Sequence, residues 1–299
     1  MSDQPVRTRR QGFLLTGLGV LFLSPDGLLV KITATDGLVF LFWRGVLLAL
    51  ALLAIGLGRY RRRWPAELRR CGRRGWICAI GFAGSTLGFV MGMKHTAAGN
   101  VLVILNTAPV IAAVMAWAIW NERLPRRTWG VILVCVGGAG LMAWSEMGRG
   151  NPLGLVMAAV AALSLATNLN AARSRPEADM SLMLFIGAAL VAIGAALMGG
   201  ARFPGWQDMR YILLLCLVFM PVASTLIQIG PRFLPAAEVS LMLLLETVIG
   251  SFLVWLFLGE VPPTLSIWGG GVILVTLVAN GLWEAHLERQ RRYWMSAPP

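Results

Sequence analysis

Apolar runs of about 20 residues, the length that a helix needs to cross a bilayer, follow one another along nearly the whole chain, separated by short polar connections. Ten are recognised, at 11–33, 37–58, 75–93, 97–120, 128–145, 153–172, 180–200, 211–231, 236–258 and 265–284. At about 1.5 Å of rise per residue, each is long enough to cross a hydrocarbon layer of about 30 Å as a helix. Backbone groups in lipid have no water to bond, and a helix satisfies them within the segment. The expectation is an all-α membrane protein with ten transmembrane helices. No connection leaves room for a soluble domain. The first run lies close behind the amino terminus and shows no small-residue cleavage site, so it reads as a retained helix and not a signal peptide.

The runs are not ten unrelated segments. Residues 98–134 read AGNVLVILNTAPVIAAVMAWAIWNERLPRRTWGVILV within the first half, and residues 236–275 read AAEVSLMLLLETVIGSFLVWLFLGEVPPTLSIWGGGVILV within the second. Trp117 and Glu122 in the first copy fall where Trp255 and Glu260 fall in the second, and GVILV recurs at Gly130–Val134 and Gly271–Val275. A repeat inside an apolar chain is the mark of many transporters, which place substrate between the halves. The boundary falls in the short polar stretch Glu146–Pro152, so residues 1–146 hold helices 1–5 and residues 152–299 hold helices 6–10 with a C-terminal tail. Five is odd, so the second repeat enters the membrane from the opposite side. Two inverted five-helix repeats are a natural basis for alternating access.

Composition sharpens this. The chain is 57% hydrophobic and 13% charged, with mean hydropathy +0.72, against about 25% charged in a soluble domain. The net charge of +12 would suit nucleic acid, but its distribution excludes that partner. About 20 of the 26 Lys and Arg lie before helix 1, in alternate connections, or after helix 10. The densest run, Arg59 to Arg74, holds eight arginines between helices 2 and 3. This is the positive-inside pattern. It puts both termini in the cytoplasm and gives the arginines anionic membrane lipid as partner. Glu122 then sits at the cytoplasmic end of helix 4 and Glu260 at the external end of helix 9. The cysteines Cys71, Cys78, Cys135 and Cys216 form no Cys-x-x-Cys, and His95 and His286 stand alone. Metal ligation and cofactors are therefore not expected.

The stretch from Lys94, KHTAAGNVLVILNTAPVIAAVMAWAIWNERL, followed by a Gly-rich helix, resembles the signature of the EamA-type transporters of the drug/metabolite transporter superfamily. Pro109 stands where that family has a mid-helix proline. The matching place in the second half is Thr247, preceded by Glu246, a departure from the pattern. The nearest likeness is to bacterial amino-acid exporters, including the aromatic amino-acid type. The resemblance implies an inner-membrane carrier of a small molecule, an amino acid or related metabolite. It implies a central cavity lined by helices 1, 3, 4, 6, 8 and 9, with the last helix of each half as scaffold. A multidrug or nucleotide-sugar carrier is the alternative within transport.

Polar groups at membrane depth are costly and are the candidates for the site. Asp26 in helix 1 and Arg44 in helix 2 fall at a similar level, and two readings stay open: a buried ion pair, or contact with a zwitterionic substrate. Pro25 before Asp26 frees a carbonyl and predicts a break at Ser24–Gly27; Pro109 and Pro221 invite the same reading in helices 4 and 8. Glu246 lies mid-span in helix 9 with no basic residue near it in sequence, and suits a substrate ammonium or proton exchange. Asn106 in helix 4, Asn168 and Asn170 in helix 6, Gln228 in helix 8, and Ser85 and Thr86 in helix 3 carry groups that pair with a carboxylate or an ammonium, or that glue helices together. Glu122 and Glu260 are gate or turn candidates, with Pro25 and Pro109 as hinges. Trp117 and Trp255 read as interfacial anchors. Gly84, Gly88 and Gly92 at four-residue spacing predict close helix approach. An intramembrane enzyme would need a nucleophile–base pair or metal ligands. No His-Glu-x-x-His or Gly-x-Ser-x-Gly is present, so the chain is not expected to be an enzyme. A membrane receptor without transport is disfavoured by the repeat.

Overall fold

The computed structural model describes residues 4–96, 101, 104–121, 125–144, 151–259 and 264–296. Among them the regular structure is helical throughout, with no strand. The α-helices are α1 (Gln4–Leu23), α2 (Pro25–Ile32), α3 (Gly37–Tyr60), α4 (Trp64–His95), α5 (Ala108–Trp120), α6 (Arg126–Trp144), α7 (Pro152–Arg173), α8 (Leu184–Leu197), α9 (Trp206–Leu214), α10 (Met220–Ile229), α11 (Ala236–Leu258) and α12 (Thr264–Ser296). Six helical stretches are long and apolar enough to cross a membrane: Arg9–Val30, Gly37–His95, Pro152–Arg173, Met180–Leu197, Trp206–Arg232 and Ala236–Phe257; Ala108–Ile119 and Ile267–Asn280 are shorter apolar helices. Gly37–His95 joins the runs expected at 37–58 and 75–93. It is turned at Arg61 (φ 47°) and at Gly72 (φ 56°), a conformation glycine adopts without the Cβ clash that an L side chain meets.

Prolines punctuate the helices as their missing N–H requires. The first apolar run is interrupted at Ser24, whose backbone stays in the α-helical region, and α2 restarts at Pro25. The fourth turns at Asn106–Thr107, and α5 starts at Ala108 with Pro109 in its first turn. In the eighth, a π-helical turn at Leu215–Phe219 opens the ladder just ahead of Pro221. The wider turn spreads the local mismatch that a proline introduces.

Helices meet across the chain in antiparallel pairs at backbone distance. The most extensive contact is α4 with α7. A Cβ built on Gly88 would lie 2.5 Å from the Met157 carbonyl oxygen and 2.7 Å from the Ala161 nitrogen, and one on Gly81 would lie 2.9 Å from the Asn168 nitrogen. On α3, a Cβ at Gly45 would stand 2.6 Å from the Ala192 nitrogen of α8. On α6, one at Gly138 would stand 2.9 Å from the Gly269 carbonyl oxygen of α12. In lipid there is no hydrophobic gain in bringing helices together, and small residues let dispersion and dipole contacts do it. Numbered by the ten apolar runs, third packs with sixth, first with eighth, second with seventh, fourth with ninth and fifth with tenth, and third with seventh and fourth with sixth are also in extensive contact. Exchanging each run with the one five places along turns the first two pairs into each other, leaves the next three unchanged, and turns the last two into second with eighth and first with ninth, which also touch. The packing therefore has the form of two repeats related by exchange.

The ends of the helices define two faces. Where α1 begins, α3 also ends, α4 begins and residues 173–183 pass; this is the N-face. The opposite face carries residues 33–36, the end of α4 and the start of α9.

Gly88→Ala is expected to destabilise the protein by about 1–3 kcal/mol, because the added methyl meets backbone and not a movable side-chain end. Gly130→Ala, where a Cβ meets nothing within 4 Å, serves as control. Thermal unfolding of the two variants in detergent checks this: a lowered midpoint for the first alone is the expected outcome.

Candidate functional site

Pro25 starts α2 and places Asp26 in its first turn. Arg44, two turns into α3, meets it with two parallel bonds, Nη1 to Oδ1 at 2.6 Å and Nη2 to Oδ2 at 2.9 Å. Each residue is 3% exposed. The fork geometry of guanidinium on carboxylate engages both carboxylate oxygens. Of the two readings left open by the sequence, the ion pair is the one observed. Arg44 also lies over the Phe40 ring at 5.9 Å, while its Nε is a buried donor without an acceptor among the described residues.

Glu246 projects from mid-α11 and is half-buried. It is within electrostatic reach of both Asp26 and Arg44, yet makes no hydrogen bond or ion pair among the described residues. Next to it, the Thr247 hydroxyl donates to Asn106 Oδ1 at 3.4 Å, joining α11 to the turn within the fourth apolar run, just before α5. Asn106 is 5% exposed, and its Nδ2 finds no acceptor among the described residues. A Cβ on Gly250, one turn further along α11, would come 3.5 Å from the Ser24 carbonyl at the interruption of the first run. Two helix interruptions thus converge on one face of α11. The cluster offers one uncommitted carboxylate, two buried donors without acceptors, and a charge pair that neutralises itself.

The remaining candidates do not join this cluster. Asn168 donates to the Cys78 carbonyl oxygen at 2.7 Å, and Gln228 Nε2 lies 2.7 Å from the Cys78 sulfur. Asn168, Gln228 and Cys78 are buried together nearer the N-face and hold α4, α7 and α10. Asn170 donates to the Ala112 and Ala166 carbonyls at 3.1 and 3.0 Å. Thr86 is buried on α4 and bonds to none of the other candidates. Trp117 and Trp255 are exposed on the outside of the bundle. Glu122 and Glu260 lie outside the described residues.

Sequence reasoning passed over Asp179 and Asp208. Asp179, at the N-face, is 4% exposed. It accepts from the Tyr60 hydroxyl at 2.6 Å and from Ser181 Oγ at 2.6 Å, and pairs with Arg59 at 3.3 Å. Tyr60 lies past the end of the apolar run 37–58; burial, then the Asp179 bond, push its phenol up to about 12, so it donates as a neutral hydroxyl. On the opposite face Asp208 accepts from the Ala34 amide at 3.4 Å and from the Thr35 hydroxyl. Lys94, past the end of the run 75–93, donates there to the Thr35 and Thr33 carbonyls at 2.8 and 3.3 Å. Burial lowers the Lys94 ammonium from the ordinary lysine value, with Asp208 and Asp36 acting the other way. The available signal was an aspartate capping the start of an apolar run, as Asp179 does for Ser181. Many N-face arginines, read from sequence as lipid partners, also bond carbonyls: Arg74 to Ser174 at 2.6 Å and Arg173 to Pro231 at 3.3 Å.

The family model of the EamA-like transporter family matches residues 10–144 and again residues 150–281. Among solved structures, a crystal structure of a protein superposes with a TM-score of 0.75 at 16% identity, over 94% of this chain and 99% of that chain. At that identity the likeness carries the fold alone. No protein of curated function matches significantly.

Breaking the pair on one side strands a buried charge, so Asp26→Asn or Arg44→Gln alone is expected to cost about 3–5 kcal/mol. The double variant Asp26→Leu with Arg44→Met recovers most of that loss. A double-mutant cycle read by thermal unfolding checks it: additive losses would mean that the two groups act separately.

Proposed function

The chain belongs to the EamA-like transporter family, and from that membership we propose that it exports amino acids or similar small metabolites across a bacterial inner membrane by alternating access. Residues 1–146 and 152–299 act as the two inverted repeats, five membrane helices each. The N-face is cytoplasmic, because the arginine-rich segment Arg59–Arg74 lies there. The two repeats rock against each other around the convergence of the helix interruptions on α11, so the site opens to one face and then the other.

One observation carries the choice of substrate class: Glu246 has no partner among the described residues, while Asp26 and Arg44 hold each other. The half-buried carboxylate suits a substrate ammonium. Asn106 Nδ2 and Arg44 Nε, buried and without acceptors among those residues, suit the carboxylate of the same zwitterion. A nucleotide sugar fits poorly. Arg44, the cation at this depth, already commits both terminal nitrogens to Asp26, and a phosphate would meet Glu246 with like charge. The interruption at Ser24–Pro25 supports the same reading, because a proline within a helix takes one N–H out of the ladder at membrane depth. Asn168 and Gln228 act one to two turns nearer the cytoplasm, with helix-packing bonds that the substrate passes over.

Glu246→Gln is expected to lower saturable amino-acid flux by about tenfold or more, the scale of one charged hydrogen bond, while expression and membrane insertion stay at wild-type levels. Uptake of a panel of labelled amino acids into proteoliposomes, with and without a pH gradient, measures it. Wild-type flux in the variant would remove Glu246 from the site.

A further inference from the structure

The site residues have no counterparts in the other repeat. At the separation that relates Trp117 to Trp255, Glu246 answers to Ala108 and Asn106 to Leu244. The contacts at the two faces are different in kind, because they are duplicated. Lys94 and Arg232 stand as far apart in the chain as Trp117 and Trp255 do. Lys94 ends α4 at the opposite face and donates to the Thr35 and Thr33 carbonyls at 2.8 and 3.3 Å, in the connection between α2 and α3. Arg232 follows α10 at the N-face and donates through Nε to the Pro176 carbonyl at 2.7 Å, in the connection between α7 and α8. The two connections are offset by about five residues from that separation: Thr33 and Pro176 stand as far apart as Asp36, the residue before α3, and Asp179, the residue capping the turn before α8.

A second contact repeats in the same way. Arg70 and Asp208 again share the separation of the two tryptophans, and both act as acceptors for these connections. The Arg70 carbonyl takes a bond from Arg175 at 2.9 Å. The Asp208 carboxylate takes bonds from the Ala34 amide and the Thr35 hydroxyl. Each connection is therefore held at two points: by a cation at the end of one helix that donates to it, and by an acceptor near a helix start in chain order that receives from it. The helix is α4 for the cation and α9–α10 for the acceptor at the opposite face; at the N-face the assignment is reversed.

We infer that these two grips are the inner and outer latches of the transport cycle: Lys94 and Arg232, in corresponding places, hold each connection within its own repeat, and the contacts that cross between the repeats, Arg175 to Arg70 and Ala34 and Thr35 to Asp208, close the face. The inference rests on the alternating-access reading and adds to it which residues close each face. A binding site acts once per cycle and needs one copy. A closure must act at both faces, and an inverted repeat supplies it twice from one ancestral contact. Both grips are engaged here. Opening one face requires breaking its cross-repeat contact while the other face keeps its bonds. Each grip consists of a few hydrogen bonds at partly exposed helix ends, where a bond is cheap enough to break and remake.

Hydrogen–deuterium exchange on the full chain in lipid nanodiscs tests this without any substrate. Arg232→Gln is expected to speed exchange of the amides at 177–183 by about tenfold, and to leave 33–40 at the wild-type rate. Lys94→Gln is expected to do the reverse. Arg232→Lys and Lys94→Arg, which keep the charge, stay near wild type. Failure of either loop to respond to its own variant, or equal loosening of both loops by one variant, would overturn the latch assignment. Because this reading needs no flux, a transport assay that finds no substrate leaves it standing, and unresponsive loops leave the Glu246 site standing.

Discussion

Inside a hydrocarbon layer a polar group has no water to fall back on, and the chain itself must supply every partner. The backbone meets this demand with helices. The side chains meet it in two ways. Asp26 and Arg44 cancel each other with two parallel bonds. Asn168, Asn170 and Gln228 turn to carbonyls and to the Cys78 sulfur on neighbouring helices. Against that background Glu246, Asn106 Nδ2 and Arg44 Nε stay uncommitted among the described residues, as Thr16 Oγ1 and Trp64 Nε1 do elsewhere, and the first three gather where two helices are interrupted beside prolines. What a core of ordinary design would not leave open is the feature that points to a carried molecule.

Around that place the frame is symmetric while the site is not. Helix pairs exchange into one another when the two repeats are swapped, and the glycine-lined contacts recur on both sides, at Gly88 against Ala161 and at Gly19 against Ile227. In the proposed mechanism such a frame has two equivalent ways to tilt. A single asymmetric cluster held within it is presented to one face by one tilt and to the other face by the other. The close backbone contacts matter here, because they cross between the repeats, and small residues give surfaces on which packed helices can slide. In that mechanism, polar contacts at the faces decide which tilt is held.

Much of this was legible in the residues themselves. Runs of about 20 apolar residues announce helices because lipid thickness sets their length, and the pairing of Trp117 with Trp255 announces the repeat. The interruption at Pro25 follows from a missing N–H, and the Asp26–Arg44 pair from matched depth. Other features depended on three-dimensional partners that no spacing reveals. Asn168 and Gln228 have the same chemistry as Asn106, and only the neighbours decide that they serve packing. The arginines of the N-face obey the positive-inside rule, and that rule says nothing about Arg74 or Arg232 reaching for loop carbonyls. The π turn before Pro221 answers a local mismatch that leaves no mark in the hydrophobic pattern. The roles of Asp179 and Asp208 were hidden because a capping aspartate looks like any other polar residue at the end of an apolar run.

The proposed mechanism requires that one buried site be reached from both faces in turn. Thr247 bonds Asn106 at that site and is 8% exposed. A Thr247→Cys variant, with Cys71, Cys78, Cys135 and Cys216 replaced, reports it through a membrane-impermeant maleimide applied to one side at a time in sealed vesicles of known orientation. The account predicts slow labelling from either side, with each reagent protecting against the other. Labelling from one side only, or none from either while the protein remains folded, would contradict it.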